Sequence, residues 1–225
     1  ADGYNPLSVL IPVARAGGIT SVVSTPDGGL VSGVSAWADL RGDSPTEAIR
    51  DAALALHVNF DDEGFGAAFG ARSATMSALR EVFDAARLYA RSRAGWDRGD
   101  FREIHEGDVS RLDLETLATA AAGDLPVVVH VSRADDIVRI LALSADLDLD
   151  LVLTGVEEGW IVAAEIAAAN VPVILRPLAD LPTTFSTLRT RYDNAALLED
   201  AGVRVVLMTQ GAWDVHNLRQ EAGNA

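Results

Sequence analysis

The residues best suited to chemistry stand together at the end of one apolar run, PVVVHVSRADDI, residues 126–137. His130 is followed by Ser132 and Arg133. An imidazole can act as acid, base or ligand near neutral pH, a hydroxyl donates and accepts, and a guanidinium binds carboxylate or phosphate. Three other apolar runs end in Thr154-Gly155, Arg176-Pro177 and Thr209-Gln210, and Asp214 and His216 follow the last. Two kinds of chemistry suit this set. His130, Asp214 and His216 are the acid–base candidates. Arg133 and Arg176, with Ser132, Thr154 and Gln210, are the ligand-binding candidates. His130 can equally be a buried histidine that donates to a backbone carbonyl. Asp135, Asp136, Glu157 and Glu158 open helices, where acids favour the helix dipole and Arg133 can pair with one of them. His57 and His105 read as surface residues.

Several chemistries are excluded. The chain has no cysteine, so thiolate nucleophiles, disulfides and thiolate zinc sites are absent. A zinc site needs several imidazoles or carboxylates converging, and serine, threonine and glutamine are poor substitutes. No G-x-S-x-G elbow occurs, and the glycine-rich PDGGLVSG has neither dinucleotide spacing nor a P-loop lysine.

The elements that position these residues follow a repeated strand–loop–helix order. Strands are expected at 127–131, 149–153, 172–175 and 203–208, each followed by a helix, at 134–145, 157–169, 194–201 and 217–225. Their apolar runs are continuous, as in parallel strands buried on both faces. Upstream, strands are expected at 19–24 and 34–40, and helices at 6–16, 44–57, 73–92 and 113–122. Residues 59–72 read as loop and 93–110 as a charged surface excursion, so 57–112 forms a helical and irregular insertion within one domain, 1–225. About six strands of this kind give a parallel α/β fold, an open sheet or a (β/α)₈ TIM-barrel-type domain. In both, function collects at the strand C-termini.

Size and charge set further bounds. The 225 residues are 49 % hydrophobic and 23 % charged, enough for one sizeable core. A formal net charge of −15 argues against nucleic acid or an anionic membrane as partner. No signal peptide is visible at residues 1–6, and no apolar run is long enough to span a bilayer. Both ends read as cut, with Asn5-Pro6 opening a helix and 217–225 lacking a stop signal.

The segments 14–33, 125–137, 153–175, 192–209 and 216–225 together resemble the amidohydrolase superfamily, in its imidazolonepropionase-like branch. That resemblance implies a (β/α)₈ barrel, a metal at the strand C-termini, and hydrolysis of C–N or related bonds by metal-activated water. It also implies ligands this sequence lacks. The His-x-His of the first barrel strand has no match. The next motif, His-x-His-Arg, reads His130-x-Ser132-Arg133. The His-Gly motif reads Thr154-Gly155, and Gln210 stands where a metal-binding Asp is expected. A carboxylated lysine is impossible, because all 18 basic residues are arginine. The leading expectation is therefore a degenerate, non-hydrolytic barrel fragment with no cofactor. The first alternative is a zinc-dependent hydrolase with a redistributed site, completed outside this span. The second is a metal-free domain binding a small anion. A small molecule at the strand C-termini is the expected ligand. Without its first strand, the barrel should have a gap, covered by helix 6–16, by the 57–112 segment or by a second copy of the chain.

Overall fold

The computed structural model describes residues 3–68, 70–98, 110–177, 182, 184–209 and 211–225. Seven strands form one mixed sheet in which spatial order equals sequence order. β1 (Ser21–Ser24), β2 (Val31–Asp39) and β3 (Ile49–Asn59) pair antiparallel. β3 then pairs in parallel with β4 (Val127–Val131), and parallel pairing continues through β5 (Leu151–Gly155), β6 (Val173–Leu175) and β7 (Val205–Leu207). The sheet curls into an α/β half-barrel, and β1 and β7 are not joined. No helix among the described residues is long and apolar enough to cross a membrane.

The strands have two distinct faces. Leu56, Val58, Val127, Val129, Leu151, Leu153, Val173 and Leu175 point outward into the core. There they meet helices α4 (Arg72–Arg91), α6 (Arg111–Ala121), α7 (Ala134–Asp146), α8 (Ala163–Ala168) and α9 (Asn194–Asp200). The alternate residues, including His57, Asn59, Val128, His130 and Thr154, therefore lie on the concave face. Register places Asn59 beside His130 and His130 beside Thr154.

The largest departure from expectation is at 44–57. The helix there is only α2 (Pro45–Ala48), and residues 49–59 form β3. The Ala-Leu-Ala-Leu run has high helix propensity. Burial, however, alternates through Leu56, Val58 and Phe60, the period of a strand, and pairing with β4 decides the outcome. Among the described residues the strand count is therefore seven, not six. The first three pair antiparallel, because short connections link them without a crossover.

Smaller corrections follow. Residues 59–72 are not all loop, since α3 (Asp62–Ala67) lies within them. Helix α6 begins at Arg111 rather than at 113, capped by Ser110 in a reciprocal box with Asp113. The helix expected at 157–169 begins as a 3-10 turn, Gly159–Val162, and then becomes α8. The 57–112 region holds the end of β3, α3, α4, α5 (Arg93–Arg98) and the start of α6. Its helices α4 and α6 cover the outer face of β3 and β4. Helix α1 (Leu10–Ala16) ends at Gly17, which lies against the backbone of His216 in the 3-10 turn Val215–Asn217 after β7. The segments flanking the two sheet edges thus touch. The last helix is α10 (Leu218–Asn224).

Phe83 of α4 is fully buried between helix and sheet, whereas Leu112 of α6 is 66 % exposed. Phe83→Ala is expected to cost about 3–5 kcal/mol in urea unfolding, and Leu112→Ala no more than about 0.5 kcal/mol. Equal costs would show that the helices do not pack on the sheet in this way.

Candidate active site

His130 reaches the C-terminal end of the concave face on β4. The Phe60 amide donates to the His130 carbonyl at 2.8 Å, so the chain leaving β3 runs beside β4 for one residue more. The next residue, Asp61, is the N-cap of α3. Its Oδ1 accepts from the amides of Glu63 and Gly64 at 3.0 and 3.1 Å. Its Oδ2 meets His130 Nδ1 at 2.7 Å. An ionised carboxylate only accepts, so the imidazole Nδ1–H donates to Asp61, and in the neutral ring Nε2 carries the free lone pair. Burial raises the Asp61 pKa, but the His130 hydrogen bond, the Gly64 amide, the His130 charge and the Glu63 amide outweigh it, and the carboxyl lies below its ordinary value. Gly64 is required here because a β-carbon would stand 1.9 Å from the Asn59 carbonyl oxygen. The Asn59 side-chain Nδ2 donates to Gly29 O at 2.9 Å and to Ser32 Oγ at 3.1 Å, tying the glycine-rich loop to the same strand end.

The other wall is the end of β5. Gly155 and Val156 both have left-handed backbones, with φ of +83° and +56°. For a β-branched residue this is strained by roughly 1–3 kcal/mol. Two contacts fix it: the Val156 amide donates to Val131 O at 2.8 Å, and its carbonyl accepts from Asn194 Nδ2 at 2.9 Å. A β-carbon on Gly155 would stand 2.7 Å from His130 Nε2 and 3.1 Å from Glu157 Oε2. Both of those atoms are buried and have no hydrogen-bond partner. Glu157 Oε1 is 3.6 Å from the Arg176 guanidinium. Glu158, also buried, accepts from the Ala134 amide and from two nitrogens of Arg189, so it braces the start of α7.

Of the sequence candidates, His130, Thr154 and Arg176 lie around this point, and Ser132 is buried just beyond β4, its carbonyl accepting from the Glu158 amide. Arg133 is the N-cap residue of α7. Of the acids it could pair with, Asp136 is instead buried against Arg72 and Arg139. Asp214 accepts from the Gly211 amide and His216 lies against Gly17, so neither is the partner of His130. That partner is Asp61. Gln210 and His105 lie outside the described residues. His57 is not a surface residue: it sits on β3 with Nε2 buried and unpartnered, and burial lowers its pKa. Glu157 and Glu158 are not simple helix-start acids, since both are buried. Asp61 was missed because the residues before it were read as helix and loop. Its cap signature, an Asp three residues before Gly64, was present in the sequence.

No family model matches the chain. A solved structure, the amidohydrolase from Thermotoga maritima MSB8, superposes with a TM-score of 0.85 at 23 % identity, covering 98 % of this chain and 59 % of that one. The curated protein "Amidohydrolase tasK" from Hapsidospora irregularis is 26 % identical over 201 residues, covering 73 % of this chain. The chain is related to the amidohydrolases. It spans about a fifth of the length of that curated relative, 19 %. The resemblance to amidohydrolases implies a metal at the strand C-termini. Among the described residues, no three His, Asp or Glu side chains converge. Ser132 and Thr154 offer hydroxyls, and His130 offers only Nε2.

Gly64→Ala is expected to destabilise the chain by about 2 kcal/mol or more, because its β-carbon meets backbone that cannot move aside. Retained stability, with the Asp61–His130 contact still seen by NMR, would contradict this packing.

The pH dependence has two limbs. His57 has a folded pKa below its ordinary 6.5, so the unfolded chain binds the extra proton first, and stability falls as pH drops below 6.5 until the folded value is passed. Asp61 has a folded pKa below its ordinary 3.8, so its contribution is present above 3.8 and is lost as pH falls further. Denaturant titrations from neutral to acid pH should show both limbs, and His57→Leu should remove only the first. An unchanged upper limb in that variant would exclude His57 as its source.

Proposed function

We propose that this chain is an amidohydrolase-like domain that does not hydrolyse through a metal and instead binds a small polar molecule in the cleft at its strand C-termini. The observation that carries this reading is the composition of the cleft. One imidazole is held by Asp61, and its neighbours at the strand ends are the hydroxyl residues Ser132 and Thr154. Hydroxyls bind zinc far more weakly than imidazole or carboxylate. A carboxylate on Nδ1 is also how a metal-binding imidazole is usually oriented, so the Asp61–His130 pair is what a former metal centre would keep.

That same pair favours a second reading, in which residues beyond this span complete a metal centre around His130. Metal analysis and zinc titration by calorimetry separate the two. The non-hydrolytic reading expects well under one zinc per chain and no metal-dependent hydrolysis of amides or lactams. One tightly held zinc per chain, lost in His130→Ala, would overturn it. A longer chain that hydrolyses such substrates only with metal, and loses this with His130→Ala, would establish the second reading.

A further inference from the structure

We propose that the Asp27-Gly28 pair is a site of spontaneous aspartate isomerisation, where the Gly28 amide closes on the Asp27 carboxyl and the ring reopens to isoaspartate. This is independent of whether the cleft takes a metal. The pair lies in the glycine-rich connection between β1 and β2, whose sequence PDGGLVSG fits no nucleotide motif. Three observations place the reaction there. The Gly28 amide donates to Asp27 Oδ1 at 3.0 Å, so the nitrogen that must attack is held beside the carboxyl it attacks. Elsewhere such contacts reach further along the chain: Asp51 accepts from the Ala53 amide, and Asp61 from those of Glu63 and Gly64. Gly28 has no side chain to shield its nitrogen, its φ of +87° suits glycine, and nothing lies within 4 Å of where a β-carbon would stand. Asp27 is exposed, so water reaches the carboxyl.

The chemistry needs no partner but water. The Gly28 nitrogen attacks Cγ of the protonated Asp27 carboxyl. A bond forms between nitrogen and Cγ, the amide proton and the carboxyl hydroxyl leave together as water, and a cyclic succinimide results. One water then reopens the ring. Attack at Cγ restores aspartate. Attack at the main-chain carbonyl carbon of residue 27 breaks that carbon's bond to nitrogen instead, and the chain then runs through Cβ and Cγ. Nothing is oxidised or reduced, and isoaspartate has the mass of aspartate. The product lengthens the main chain by one carbon and leaves a free α-carboxylate. That extra carbon falls just ahead of the points where the loop is anchored. Gly29 O accepts from Asn59 Nδ2 at 2.9 Å, and Leu30 O accepts from the Asn59 main-chain amide at 2.9 Å. Asn59 stands beside His130 in the sheet. Isomerisation therefore displaces carbonyls that hold the strand end next to His130.

The test ages the full chain for several weeks in H₂¹⁸O buffer at neutral pH and body temperature. Peptide mapping with electron-transfer fragmentation then locates isoaspartate and incorporated ¹⁸O. Both are expected to accumulate at residue 27, at a rate close to that of a free peptide spanning residues 24–33. Asp27→Glu keeps the charge but lengthens the ring to be closed, and should abolish the product there. Gly28→Ala shields the attacking nitrogen and should slow it severalfold. In the isomerised fraction, separated by ion exchange, the side-chain amide resonances of Asn59 should shift. No isoaspartate at residue 27 in the folded chain, while the free peptide accumulates it, overturns the proposal. So does an unchanged rate in Gly28→Ala, or label confined to Asp2-Gly3, the other Asp-Gly pair of the sequence. Unmoved Asn59 resonances in the isomerised fraction overturn the effect on the strand end.

Discussion

The Asp61 carboxylate is the hinge of this site, because its two oxygens serve different structures. One satisfies two free amides at the start of α3, and the other orients the His130 ring. The start of a helix and the tautomer of an imidazole are therefore fixed by one side chain. This works only because β3 lies beside β4 and the chain continues one residue past the strand, through the Phe60 amide on the His130 carbonyl. It also requires glycine at 64, where helix and strand end come too close for any side chain. The ring cannot be re-aimed without disturbing backbone on both sides of it.

Three buried acids follow a similar economy. Asp136, Glu157 and Glu158 are all buried, and each faces at least one arginine that stands partly in solvent. A guanidinium on a long stem can reach an inward carboxylate while its own position stays at the surface, and its planar fork can hold both oxygens at once, as Arg189 does with Glu158. A chain whose basic residues are all arginine is suited to this. Such pairs need not add much net stability, since desolvation offsets their attraction. Their effect is on geometry: Glu158 joins the start of α7 to residue 189, and Asn194 holds the strained Val156 backbone beside Gly155. Glu157 differs, since its arginine sits at 3.6 Å from one oxygen and leaves the other without a partner.

The parts of the fold legible in the sequence were those where one signal dominated. The strands from β4 onward are largely apolar runs between turn residues, and their parallel character could be read directly. β3 was not legible. Its first half has the composition of a helix, and its strand period appears only towards its end, through Leu56 and Val58 and on to Phe60 just beyond it. That single misreading hid the most important contact of the site, because Asp61 becomes a neighbour of His130 only when 49–59 is a strand next to β4. Reading strand ends alone therefore found His130, Thr154 and Arg176 but could not find Asp61. Glu157 was missed for a different reason. An acid in a first helical turn has an adequate local explanation, and only the left-handed turn at Gly155 and Val156 carries it inward.

The alternation of faces explains how a fold can be kept while a site changes. Every residue that β4 and β5 give to the helix-facing core stands an odd number of places from His130 or Thr154. The core face stays apolar whatever stands on the concave face, so exchanging an imidazole for a hydroxyl at a strand end removes no core contact. A carboxylate that orients an imidazole is different, because Asp61 also caps α3 and its loss would cost helix stability by about 1 kcal/mol. Structural duty therefore protects Asp61 independently of chemistry, whereas Ser132 and Thr154 stand where the fold makes weaker demands.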